Sequence, residues 1–282
     1  MVERKHILFP VDFSARCRAT TPFVIEMARQ LSARVTVFHV FMPPTLVYPV
    51  DMPWVAGEAD IEAQRELADK SVRQFVAEQF EPVAPEITTR TAFELGDPAT
   101  TIVEFAEKTQ VDLIMLPTQG HGRFRSLLLG SVTSKVLHDA RCPVWTSAHI
   151  QDPLSAAAAQ VRSILCALDV NRESLNVLAY AVNLSRTLAA EIHIVHAVAA
   201  GDSPERIAAA SAELSRLQEK AGTAIEIGIQ AGQPHEVIRE AAGRLKADLV
   251  VIGRGAILSP LGRLRTNVHG IVRSSPCPVI SV

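Results

Sequence analysis

Cysteine is scarce in this chain: 282 residues carry four, Cys17, Cys142, Cys166 and Cys277, far apart and with no C-x-x-C pair. That spacing argues against a disulfide framework or a zinc site, and a reducing cytoplasm is the expected compartment. A basic excess is missing as well. Lys and Arg number 28 against 30 Asp and Glu, a net charge of −2, so no general nucleic-acid binding is expected. No apolar run approaches the length needed to cross a bilayer, and no membrane association is expected. The opening MVERKHILFPVD passes from charges straight into a strand-like run, with no secretory leader expected. Catalytic signatures are equally thin. The chain has no G-x-S-x-G elbow and no Walker G-x-x-x-x-G-K-[ST]. Its nine histidines form no H-x-x-x-H pair and none joins a cysteine at ligand spacing, so no metal centre is expected.

What the chain does have, it has twice. HILFPVDFSARCRA, from His6, resembles SILCALDVNRESLN, from Ser163. Asp12 precedes His39 by 27 residues, and Asp169 precedes His196 by the same 27. GDPATTIVEFAEKTQVDLIML matches GQPHEVIREAAGRLKADLVVI, with 16 residues from Gly96 to Asp112 and again from Gly232 to Asp248. Each copy closes on Cys-Pro-Val, at Cys142 and Cys277. These spacings mark a tandem duplication. A polar and alanine-rich stretch at 149–160 breaks the pattern, which divides the chain into 1–148, a linker at 149–160, and 161–282.

Within a copy, short apolar β-rich runs alternate with segments of helical spacing such as Phe23, Met27 and Leu31. The order is strand, helix, strand, helix, strand, helix, strand, helix, strand. The expected class is therefore α/β, with two tandem five-stranded, mainly parallel sheets covered by helices on both faces. Ligands of such sheets sit at the carboxyl ends of the strands. Asp12 follows the first strand, Val40 ends the second, and the stretch from Pro117 to Ser131 follows the fourth, so all three converge on one crevice.

That last stretch reads PTQGHGRFRSLLLGS. Gly120 lets backbone approach an anion without a Cβ in the way and tolerates positive φ. Gly130 and Ser131 lie where the last helix begins, where unpaired N–H groups favour phosphate. A plainer reading is open: the glycines only make a tight turn, and Ser131 only caps the helix. Asp12 has the same two readings. Its carboxylate can accept hydrogen bonds from a ribose or an adenine amine, or it can cap the first helix. Its counterpart Asp169 persists in the second copy, which favours a shared structural role. His39 and His196 occupy equivalent strand ends, again a structural pattern, and His193 and His196 face opposite sides of their strand.

Each half resembles a universal stress protein domain, and the whole resembles the tandem members of that family, over nearly the entire chain except the linker and a loop at about 43–57. ATP-binding members carry G-x2-G-x9-G-[S/T] after the fourth strand. In the first copy Pro117 stands at the first glycine, Gly120 at the second, Gly130 at the third and Ser131 at the hydroxyl. The resemblance implies a Rossmann-like, adenine nucleotide alpha hydrolase-like fold, with ATP as ligand of the first domain. It implies Pro10, Val11 and Asp12 against adenine and ribose, Val40 lining the base pocket, and Gly120, Gly130, Ser131 and Val132 at the phosphates, with His121 beside them. Pro117 departs from the pattern: it has no N–H and its φ is fixed near −65°.

The second copy departs further. In GRGAILSPLGRLRTN, Gly253 keeps the first position, Ala256 replaces the second glycine, Arg265 the third, and Thr266 supplies the hydroxyl. No family-type ATP site is expected there, although Arg254, Arg263 and Arg265 could attract an anion or form a solvated rim. The loop MPPTLVYPVDMPWVAG at 42–57, with Tyr48 and Trp54, is confined to the first copy and is either a lid or partner surface or packs onto its own domain. The functional expectation is a stress-response regulatory or interaction protein that binds an adenine nucleotide in its first half. The resemblance also implies an internal pseudo-dimer paired through PVWTS and PVISV, with further homodimerisation open. The alternatives are an interaction protein that binds no nucleotide, and a very slow ATP hydrolase.

Overall fold

The computed structural model describes residues 4–42, 58–118, 129–148, 159–171, 173–254 and 263–282. The loop at 43–57, with Tyr48 and Trp54, and the glycine-loop residues Gly120 and His121 lie outside them. The chain forms two compact units. One is built on Met1–Cys142, the other on Pro143–His149 together with Ala157–Val282.

In the first unit the parallel sheet runs β3-β2-β1-β4, from β1 (His6–Pro10), β2 (Arg34–Phe41), β3 (Thr89–Leu95) and β4 (Leu113–Met115). β1 lies inside the sheet and is buried on both faces, which is why HILFP reads as a continuous run and not an alternation. The edge strand TRTAFEL is half-exposed along most of its length. Neighbouring side chains of one strand point to opposite faces, and the aromatics show what covers each. Phe9 meets Phe75 and Phe80, ring centroids 6.2 and 6.4 Å away, from helix α2 (Glu58–Gln79) and the residue just after it. Phe38 stacks at 4.3 Å on Phe105 of α3 (Pro98–Lys108) across the other face. Helix α1 (Ala15–Leu31) packs on β1 and ties to α2 through Arg18–Glu78 at 3.0 Å. Helix α4 (Ser131–Asp139) packs on α3.

The second unit repeats the scheme with β6 (Ser163–Ala167), α5 (Ser174–Leu188), β7 (Glu191–Val198), α6 (Pro204–Ala221), β8 (Ile227–Ala231), α7 (Pro234–Leu245), β9 (Leu249–Ile252), α8 (Arg263–Ser274) and β10 (Val279–Ser281). Its order is β5-β10-β9-β6-β7-β8. Here β5 (Val144–Thr146), the fifth strand of the first repeat, pairs antiparallel with β10, while the other pairs are parallel. The elements follow the order that the repeat pattern predicts. No helix among the described residues is long and apolar enough to cross a membrane.

Candidate functional site

In the first unit β1 is flanked by β2 on one side and β4 on the other, so its carboxyl end is the switch point of the sheet. The strand registers pair Pro10 with Phe38 and Leu8 with Ile114. Continued two to four residues, they bring Asp12 level with Val40 and Thr118. The three segments therefore leave the sheet at the same end. Val40 is the penultimate residue of β2, which runs on to Phe41.

Each residue here has a definite local job. Pro10 is the buried last residue of β1. The Val11 N–H donates to the Phe38 carbonyl at 2.8 Å, and the Val11 carbonyl is held at 2.8 Å by His39 Nδ1. His196 Nδ1 makes the same 2.8 Å contact to the Leu168 carbonyl in the second unit. The conserved interval of 27 residues thus encodes a bond that fixes the exit of each first strand, the structural role expected of these histidines.

Asp12 does not cap α1. The cap is Ser14, whose hydroxyl accepts from Cys17 N at 3.3 Å. Asp12 Oδ1 instead accepts from Ser14 N at 3.0 Å and from the Cys17 thiol at 2.9 Å, shaping the turn that delivers the cap. Burial, then the neighbouring Asp12 carboxylate, pushes the Cys17 thiol up to about 12, so it stays protonated as donor to that carboxylate. Between them Phe13 adopts φ 62, an uncommon conformation for a bulky residue, with its ring 4.6 Å from His39. Sequence reasoning passed over Phe13. Its signal is slight, since the second copy has Val170 at that position, without positive φ.

The other wall is the start of α4. Gly130, not Ser131, is its N-cap, with φ −56 and no side-chain capping bond, and Ser131 is the first helical residue. The Gly130 N–H is not free for a ligand: it donates to the Thr118 carbonyl at 2.8 Å. One residue earlier, the Pro117 carbonyl accepts from the buried Thr133 hydroxyl at 2.9 Å. Two bonds from one helix end therefore close the base of the glycine loop. Ser131, Val132 and Thr133 have N–H groups with no acceptor inside the helix, because the first intrahelical bond runs from Ser134 N to Gly130 O. No acidic residue stands in the first turn to neutralise the positive end of the dipole. The beginning of α3 is tied to the same helix. Asp97 caps α3 through Thr100 N (3.0 Å) and the Thr100 hydroxyl (2.7 Å), and also accepts from Lys135 of α4 at 3.0 Å. These bonds, Thr100 foremost, hold its carboxyl down to about 2. Gly96, just before it, has φ +154, and a Cβ there would lie 2.5 Å from Thr101 Oγ1; Gly232 of the GQP motif shares the backbone conformation, φ +151, with Val237 Cγ2 3.1 Å from such a Cβ.

A match to the sequence profile of the Universal stress protein family covers residues 3–147 and again 160–282. The chain belongs to the universal stress protein family. A curated universal stress protein of Methanocaldococcus jannaschii is 30% identical over 141 residues, half of this chain and 79% of that protein. One of Mycolicibacterium smegmatis is 26% identical over 144 residues, 50% of this chain and 45% of that protein. Among solved structures, a universal stress protein from Archaeoglobus fulgidus superposes with a TM-score of 0.73 over 99% of this chain and 96% of its own, at 23% identity, a likeness of fold.

The two universal stress protein repeats differ where phosphate is expected to bind. In the second unit the crevice is a cavity of about 300 Å³, lined by Asp169, Ser174, His196, Ile252, Gly253 and Asn267 among others. Its helix, however, begins at Arg263, three residues ahead of Thr266, the counterpart of Ser131. Arginine at position 265 is a good helix former where the first copy has glycine. The helix begins three residues earlier than α4 does in the first copy, so the N–H groups without an intrahelical acceptor are those of residues 263–265, ahead of Thr266. The Arg254 guanidinium is engaged with the last strand: its Nε and Nη2 donate to Ser281 Oγ at 3.2 Å and to the Ser281 carbonyl at 3.0 Å. Among the described residues no cluster of His, Cys, Asp or Glu has the makings of a metal site.

Proposed function

We propose that the first unit binds an adenine nucleotide, ATP by the family pattern, and that the protein acts as a stress-response regulator or interaction partner whose second repeat has lost the phosphate end of the site. The observation that carries this reading is the start of α4: a helix N-terminus with no acid in its first turn, held at the switch point of the sheet by the Gly130–Thr118 and Thr133–Pro117 bonds. In this reading the N–H groups of Ser131 and Val132 meet phosphate, Val40 lines the base, and Asp12 faces the ribose. Gly120 and His121 complete the loop. A second reading, an interaction protein without nucleotide, draws on Asp12, whose Oδ1 already serves Ser14 and Cys17, and on Asp169, which likewise holds its own turn through Val170 N at 2.8 Å. Calorimetric titration of ATP into the intact chain separates them. Saturable binding abolished by Gly130→Arg, the residue of the second repeat, supports the first. Absence of both heat and thermal shift at millimolar ATP leaves the second.

A further inference from the structure

At the opposite pole of the first sheet, where its strands begin, three arginines converge. Arg34 opens β2, Arg90 is the second residue of β3, and Arg4 lies two residues ahead of β1. Register explains the meeting. Val35 pairs with Thr89 and Thr36 with Arg90, which sets Arg34 beside Thr88. Residues 34 and 36 of β2 and 88 and 90 along β3 then project from one face. Together Arg4, Arg34, Thr88 and Arg90 line a cavity of about 280 Å³.

None of the three guanidinium groups has a carboxylate partner among the described residues. Arg4 Nη1 reaches only the Thr88 hydroxyl at 3.5 Å, and Arg34 Nη2 meets His6 Nδ1 at 3.3 Å, while Arg34 Nε is buried without any hydrogen-bond partner. The nearby acid, Asp112, is occupied by Lys5 Nζ at 2.7 Å and the His6 N–H at 2.8 Å. His6 lies beside the cluster. Its Nε2 pairs with Thr36 Oγ1 at 2.8 Å, and burial, then Arg34, holds its pKa below the usual histidine value. The His6 Nδ1 lies 3.3 Å from both Arg34 Nη2 and the Thr109 carbonyl.

We propose that Arg4, Arg34, Arg90 and the Thr88 hydroxyl form an anion site for a phosphate-type oxyanion, separate from the nucleotide crevice. Guanidinium forks match such oxyanions in paired bonds, and a tetrahedral anion accepts donors from several directions where a planar carboxylate is saturated by one or two. The second repeat is an internal control. By the same registers Glu191 stands for Arg34, Glu226 for Arg90 and Ser163 for His6. The fold itself therefore does not require the basic cluster.

The test is calorimetric titration of the full chain with inorganic phosphate, against sodium chloride at matched ionic strength. One saturable site per chain is expected. Arg90→Glu, on an exposed edge strand, should weaken it at least about tenfold, and Arg4→Glu should weaken it as well, since each removes a charge-assisted pair. Gly130→Arg should leave phosphate affinity within about twofold, because it alters only the crevice, so this proposal and the nucleotide reading fail separately. Glycerol phosphate binding more tightly than the free ion assigns the site to esterified phosphate, and weaker binding assigns it to the free ion; either supports it. The proposal is overturned by absence of saturable binding at millimolar phosphate, or by Arg90→Glu binding as the parent does while retaining its far-ultraviolet circular dichroism.

Discussion

Replacing Thr133 by Val removes one hydroxyl from the base of the glycine loop and little else. Thr133 is 4% exposed, and its hydroxyl donates at 2.9 Å to the carbonyl of Pro117. The second repeat carries Val268 at the corresponding helical position, also buried, so the shape is tolerated by the fold. Removing the donor forfeits a net ~0.5–1.5 kcal/mol, rising toward ~3 kcal/mol if the carbonyl is left buried and unpaired. Pro117 is only half-buried, which puts the expected loss at about 1–2 kcal/mol. For a unit of this size that is a fall of about 3–7 °C in melting temperature, read by scanning calorimetry. If the bond also holds the loop ready for ligand, nucleotide binding must restore that order, and affinity falls by about tenfold for 1.4 kcal/mol. Thr133→Ser, which keeps the donor, should recover most of both losses. A valine variant that melts within about a degree of the parent and binds nucleotide equally well would refute the clamp.

Asp97→Ala should cost about 1 kcal/mol, the ordinary worth of an N-cap. Because the folded carboxyl is held down to about 2, its contribution is present above the unfolded value near 3.8 and is lost as pH falls toward 2. The difference between parent and variant in urea midpoints should accordingly shrink below pH ~4, and a difference that persists at pH ~2 would contradict the assignment. Pro117→Gly has opposed effects on nucleotide affinity. A new donor adds ~0.5–1.5 kcal/mol, while the added chain freedom removes ~0.4–1 kcal/mol. The net change in measured dissociation constant should stay within about tenfold, and a larger one would mean that proline redirects the loop.

Much of this was legible in the sequence because the duplication preserves spacing. The interval from Asp12 to His39 returns between Asp169 and His196, and in both units the histidine binds the carbonyl that follows the first strand. The element order and the placement of Asp12, Val40 and Thr118 at one end of the sheet follow from the same alternation. The caps were not legible. DFS offers two capping residues within three positions, and the positive φ of Phe13 decides for Ser14. At the last helix, LLLGS reads with Ser131 as the cap and the glycine as a tight turn or anion cradle, whereas Gly130 is the cap and the Thr118 carbonyl takes its N–H. The start of α8 at Arg263, three residues ahead of the counterpart of Ser131, is visible only in the structure. The arginine cluster was beyond local reading altogether, since Arg34 and Arg90 meet only through the pairing of β2 with β3.

The two repeats share a fold, and under the proposed function they part at the start of their last helix. Equilibrium dialysis of the intact chain against labelled ATP counts the sites directly. One bound nucleotide per chain, lost on Gly130→Arg, is the expected result. Two nucleotides per chain, none, or one that survives Gly130→Arg would contradict it.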